Sequence, residues 1–242
     1  MSLISVFKTP IIEFLCEERD FGIIKPPVPA GKCIPEWYKK VPVNMGPEHR
    51  DVFGGEAMTA KKCIPLIDAM TLGFIIPLYG DTNIKVSKTG EFIETSPNPQ
   101  GGGIIELHDK SQLGGKSSPT YPGPAVKFIN KWIIKTAPGY STLFIPPMNS
   151  IEDRFICLSG FVDTDRYARQ INFPGIWLKK DCDEILLAGT PLVTCIPIKR
   201  SQLPKEAPIR IWTPREKMAC QKTIEIQKNR NHYYTKELRE KR

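Results

Sequence analysis

Two carboxylates, Asp163 and Asp165, a guanidinium, Arg166, and a phenol, Tyr167, fall in five consecutive positions at the end of the stretch LSGFVDTDRY, residues 158–167. Carboxylates accept hydrogen bonds, a guanidinium donates them as a planar fork, and a tyrosine offers a flat apolar face with a polar tip. Such a group can hold a sugar hydroxyl or a metal-bound phosphate while Tyr167 packs on a ring. The same residues equally fit a tight β-turn in which Asp163 caps backbone amides and Arg166 pairs with Asp165. No further cation is expected at this corner to grip phosphates.

Elsewhere the chemistry is thin. The three histidines, His49, His108 and His232, have no ligand-like spacing, so no metal site is expected. The chain contains no G-x-S-x-G elbow, H-E-x-x-H, phosphate loop or dinucleotide fingerprint. His108-Asp109 reads as a solvated turn, and Gly101-Gly102-Gly103 as plain flexibility before an anion-binding nest. Seven cysteines with no C-x-x-C pair read as free thiols of a reducing compartment, mostly small buried hydrophobes. No catalytic residue is assigned and no cofactor is expected, with Mg²⁺ entering only alongside a nucleotide.

The elements that must position the acidic corner are short. Proline numbers 23 in 242 residues, where average usage gives about half as many, and each one fixes φ and removes a donor. Candidate strands are 74–79, 83–87, 103–107, 128–135, 141–145, 155–161, 170–173, 190–198 and an edge strand Ile209-Arg210-Ile211-Trp212. Turns are expected at Pro138-Gly139, Pro146-Pro147, Pro174-Gly175 and Ala188-Gly189. Pro35 at a first helical position suggests a short helix that buries Trp37. Pro65 and Gly73 bracket a second helix, and Thr213-Pro214 starts a third. This divides the chain into an extended N-terminal arm with a short helix (1–60), a β-rich core with a Gly/Pro-rich loop at 95–124 (61–212), and a basic C-terminal helix and tail (213–242).

The net charge of +8 is concentrated in that tail, where residues 215–242 hold nine Lys/Arg against four Glu. A global nucleic-acid surface is not implied. A contact by the tail through Lys228, Arg230, Tyr233, Tyr234 and Lys236 remains as a minor alternative to a solvated helix end. No secretory signal and no apolar run of membrane-spanning length is visible, so host cytoplasm or a virion is the expected location.

From Pro138-Gly139-Tyr140, through Gly160–Tyr167, to Gly189–Ile196, the chain resembles the core of the dUTPase and dCTP-deaminase superfamily, whose fold is a β-clip. The resemblance implies a mainly β barrel or sandwich with the N-terminal arm and C-terminal helix appended. It makes Asp163 the counterpart of a water-activating aspartate and leaves Tyr167 one place from a ring-stacking tyrosine. Where that family carries a P-R-S-[SG] phosphate motif, this sequence reads Ile145-Pro146-Pro147-Met148-Asn149, without the arginine or the serine. Residues 34–39, 62–71 and 189–192 also resemble an uncharacterised family of tailed phages and bacteria. Together these imply a non-catalytic phage protein acting as a structural, assembly or binding module. It is expected to form homo-oligomers or to bind other virion proteins, and not to engage a membrane. The alternative is a dUTPase-like protein that sequesters or hydrolyses a nucleotide, with Asp163, Asp165, Arg166 and Tyr167 as binding residues.

Overall fold

The computed structural model describes residues 10–50, 57–90, 93–96, 103–114, 124–229 and 233–240. The chain divides into two compact units, Met1–Gln202 and Leu203–Arg242.

The described residues of the first unit form fourteen strands: β1 (Ile12–Leu15), β2 (Val28–Pro29), β3 (Phe74–Pro77), β4 (Thr82–Val86), β5 (Ile93–Thr95), β6 (Ile105–His108), β7 (Ala125–Phe128), β8 (Ile133–Thr136), β9 (Tyr140–Ile145), β10 (Phe155–Cys157), β11 (Gly160–Val162), β12 (Phe173–Trp177), β13 (Cys182–Leu186) and β14 (Pro191–Lys199). All pairings between them are antiparallel. They form four sheets ordered β1-β8, β10-β12-β7-β6, β11-β9-β14-β3-β2 and β13-β4-β5. The unit is mainly β as expected, but no sheet closes into a barrel. Within the expected arm, β1 and β2 add to β8 and β3.

One hydrophobic cluster joins these sheets, including Ile76, Leu78, Ile84, Phe128, Ile134, Phe144, Trp177, Leu186 and Leu192. The strands supply it by period-two burial, clearest in β4, where Thr82, Ile84 and Val86 are buried and Asn83 and Lys85 exposed. Aromatic rings pack within the β10-β12-β7-β6 sheet and, through Phe144 and Phe173, between two sheets. Phe128 lies 4.6 Å from Phe155, which stacks on Trp177 at 6.0 Å, and Phe144 meets Phe173 at 5.5 Å.

Several expected elements are corrected. The strand expected over 128–135 breaks in two because Asn130 takes over backbone pairing there. Its Nδ2 donates to the Trp132 and Ile171 carbonyls at 2.8 and 3.1 Å, and its Oδ1 accepts the Trp132 N–H at 3.0 Å. The chain therefore turns a corner between β7 and β8, which enter different sheets. The strand expected over 155–161 likewise divides into β10 and β11, again in different sheets.

The strand expected at 170–173 instead runs from Phe173 through Pro174-Gly175, which the sequence suggested as a turn. Pro174 withholds only a donor, and its carbonyl still accepts from Leu158 N at 2.8 Å. Gly175 fits because a Cβ there would sit 2.8 Å from the Ile156 carbonyl oxygen and 3.2 Å from the Phe128 ring. Gly175→Ala is therefore expected to cost about 1–3 kcal/mol by forcing β10 and β12 apart. A shifted urea midpoint at unchanged slope checks it.

Two α-helices lie among the described residues of this unit. Helix α1 (Glu36–Lys40) begins just after Pro35 and buries Tyr38 rather than Trp37. Trp37 is half-buried and instead tethers the segment by donating from Nε1 to the Asn149 carbonyl at 2.8 Å. Helix α2 (Ile64–Met70) has Pro65 in its first turn. Gly73 beyond it takes φ +75°, at a place where a Cβ would run into the Cys195 carbonyl oxygen. The cysteines are all free. Cys157 and Cys195 are buried, Cys16, Cys33 and Cys182 half-buried, and Cys63 and Cys220 exposed, so the expectation of buried thiols holds for only part of the set.

The second unit contains α3 (Pro214–Asn229) and a π-helical turn, Tyr234–Leu238. Its start is capped as the sequence suggested. The Glu216 N–H donates to Thr213 Oγ1 at 3.3 Å, and the Glu216 carboxylate accepts the Thr213 N–H at 2.7 Å. Arg210 grips the same carboxylate at 2.5 and 2.8 Å. That guanidinium first, and the Thr213 donors second, hold the Glu216 pKa down at about 2. The cap is thus fully formed above the ordinary glutamate pKa of about 4.3 and is lost as pH falls toward the depressed value. A carboxyl-NMR titration of Glu216 is expected to show this low midpoint, and Arg210→Gln to raise it. Ile209–Trp212, expected as an edge strand, joins no ladder and is exposed throughout.

Candidate functional site

Strand β9 is the spine of the acidic corner. Its register with β14 runs from Thr194↔Ile145 to Lys199↔Tyr140, so the residue after β14, Arg200, arrives beside the Pro138-Gly139 turn. The Arg200 N–H closes that junction on the Gly139 carbonyl at 3.0 Å. On the other side β11 pairs with β9 from Gly160↔Phe144 to Val162↔Thr142, which delivers Asp163 and Asp165 to the same end. Antiparallel pairing on both flanks of one strand thus gathers charges that are 35 residues apart in sequence.

A cation does reach the corner, contrary to expectation. Arg200 Nη1 and Nη2 donate to Asp165 at 2.9 and 2.5 Å, and Nη1 also reaches Ser141 Oγ, the Tyr140 carbonyl and, at 3.4 Å, Asp163. Asp165 Oδ2 further accepts the Gly139 N–H at 2.8 Å. Asp165 therefore pairs with Arg200 and not with Arg166. The Arg200 guanidinium, then the Gly139 N–H, hold its carboxyl far below the usual carboxylate range against the opposing effect of burial.

The two carboxylates have separate roles. The Asp165 side chain is 6% exposed and faces the β9 turn, whereas Asp163 is 53% exposed. Asp163 Oδ1 accepts the Ser141 hydroxyl at 2.6 Å, while its backbone carbonyl accepts the Arg166 and Tyr167 N–H groups, both at 2.9 Å. The turn is real, but the Asp163 side chain is spent on Ser141 and Arg200 rather than on capping amides.

Between these carboxylates Thr164 points inward. Its hydroxyl lies 2.8 Å from both Thr136 Oγ1 and Thr142 Oγ1, and Thr136 donates onward to the Tyr140 carbonyl at 3.1 Å. With one proton per hydroxyl the chain runs Thr142 to Thr164 to Thr136 to the carbonyl. Thr164→Val leaves the buried Thr142 hydroxyl without its acceptor, so a loss of about 1–3 kcal/mol in chemical denaturation is expected.

An open hollow of about 530 Å³ lies on the outer side of the corner, lined by Phe161, Val162, Asp163, Arg166 and Tyr167. Of the four residues singled out from the sequence, Asp163, Arg166 and Tyr167 share this hollow, and Asp165 does not line it. The arrangement presents one carboxylate, one guanidinium and two half-exposed rings to a ligand. Arg200 offers it little, because two carboxylates and a carbonyl already occupy its donors.

The remaining expectations separate. His108 Nδ1 lies 2.6 Å from Gln112 Oε1, while Asp109 accepts the Ser111 N–H, so the His108-Asp109 pair does not act together. Gly101 and Gly102 lie outside the described residues, as does Arg230 of the cation-aromatic tail. Among the described residues no group of three or more His, Cys, Asp or Glu is placed to hold a metal ion, and no helix is long and apolar enough to cross a membrane. Arg200 is the member of the corner that sequence reasoning missed. The signal was the pairing of the 140–145 and 191–199 strands, which carries the next residue to the turn. Comparison with protein-family models and with curated proteins finds no match to the chain.

Proposed function

We propose that this protein is a non-catalytic assembly module, a β-sheet body whose C-terminal arm docks on another subunit. The observation that carries the reading is the arm itself. Ile209, Ile211 and Trp212 are 102%, 87% and 55% exposed, and α3 buries none of its residues while Met218 and Ile224 also face solvent. Apolar side chains clustered in one short segment mark an interaction surface more often than a solvated one. The resemblance to a tailed-phage family makes a virion the proposed assembly.

The test is a full-length variant with Ile209, Ile211 and Trp212 all changed to serine. The parent is expected to run as a discrete oligomer in light-scattering chromatography and the variant to dissociate, with unfolding of the sheet body unchanged. An oligomer indifferent to these changes would remove the arm from the account. Absence of the protein from purified particles by mass spectrometry would remove the virion.

A second reading is favoured by the hollow, which is lined by the Phe161 and Tyr167 rings together with Asp163 and Arg166. It makes the corner a nucleotide-binding site of dUTPase-like type, taking Mg²⁺ with the phosphates. A ligand held there at about 100 times its dissociation constant stabilises the fold by about 2.7 kcal/mol. A panel of nucleotides with Mg²⁺ that moves no melting temperature rejects this reading.

A further inference from the structure

Ile209-Arg210-Ile211-Trp212 has the composition of a strand, two β-branched residues alternating with a cation and an aromatic ring, yet no described strand pairs with it. An extended segment of this kind gains main-chain hydrogen bonds only by adding to the edge of an existing sheet. The first unit offers such an edge. Strand β13 ends the β13-β4-β5 sheet, and its outer side pairs with no described strand. It carries Ile185, 58% exposed, with Leu187 just past its end, 60% exposed. The two are separated by the same two-residue spacing as Ile209 and Ile211.

We propose that the Ile209–Trp212 segment of one copy adds as an antiparallel strand to the β13 edge of a second copy. This rests on the assembly reading above and names its acceptor. In the register that sets Ile211 opposite Ile185, Ile209 meets Leu187, so two apolar cross-strand pairs form on the outer face. Arg210 then lies opposite Leu186, on the other face from the two apolar pairs, where it keeps its Glu216 partner. Charge also decides between occupants. Two β13 edges pairing with each other would bring Asp183 and Glu184 of both copies together, whereas Ile209–Trp212 carries no acid to set against them. Edge strands in soluble proteins are usually protected against such addition, and the exposed aliphatic pair on β13 leaves this one receptive.

The test uses the full chain with photoreactive p-benzoylphenylalanine at position 212, mixed as isotopically light and heavy protein before irradiation. Cross-links joining light to heavy chains, with position 212 attached within residues 182–187, are the expected result. An oligomer whose links from position 212 fall elsewhere, or only within one chain, overturns the β13 acceptor and leaves assembly standing. A chain that stays monomeric at micromolar concentration overturns both. As an independent arm, Ile185→Lys replaces the aliphatic partner of Ile211 with a cation and is expected to weaken association at least about tenfold, with the unfolding midpoint of the subunit unchanged. Association equal to that of the parent would contradict the proposal.

Discussion

Phe128→Ala is expected to lower the unfolding free energy by about 3–5 kcal/mol, the range for emptying a fully enclosed aromatic site. Phe128 has no exposed surface, and it pairs across the sheet with Ile105 on one side and Phe173 on the other. Its ring packs on Phe155, which carries the contact to Trp177. Gly175 leaves room for that ring, so nothing nearby can swell to refill the space. Denaturant titration checks the prediction. A loss below about 1 kcal/mol, within the scatter of surface substitutions, would mean that the sheets do not share this core.

Arg200→Met is the second large change, and its signature is pH dependence. Removing the guanidinium leaves Asp165 enclosed with only the Gly139 N–H as a described donor, and releases Ser141 and the Tyr140 carbonyl from the same grip. Because the folded-state pKa of Asp165 is depressed, its contribution to stability is complete above the unfolded value of about 3.9, begins to fall below it and is gone only once pH has passed through the depressed folded value. Parent and variant are therefore expected to differ most near neutral pH, with a gap that is smaller at pH 3. Urea midpoints at pH 7 and pH 3 measure the gap. A gap that stays constant would assign the role of Arg200 to packing and not to the ion pair. Arg166→Met, at an exposed position on the hollow, is expected to change stability little at either pH.

How much of this was legible in the sequence depended on the range of the interactions. Local signals read well. The Thr213 cap, Pro65 in α2 and the Gly73 stop each follow from one residue's own conformational limits. The alternation of β4 also read directly. Non-local substitutions for ladder bonds did not. Asn130 turns an apolar run into a corner only because Trp132 and Ile171 supply partners, and nothing within 128–135 announces it. Strand β13 was hidden by Asp183 and Glu184, residues depleted from strands, although its exposed edge tolerates them.

The acidic corner was found by composition, yet its wiring was misread. Asp165 and Arg166 are neighbours in sequence, which suggested a pair, while the register of β9 with β14 assigns Asp165 to Arg200. The Ile209–Trp212 segment shows the reverse case. Its strand character is plain in the sequence while no described strand pairs with it, and that mismatch motivates the proposed assembly.

Native mass spectrometry of the full chain across a dilution series tests assembly most directly. The account predicts one dominant species at an integer multiple, two or greater, of the 27.3 kDa subunit, which breaks down when the Ile209–Trp212 segment is made polar. A single species of one subunit at every concentration would contradict it.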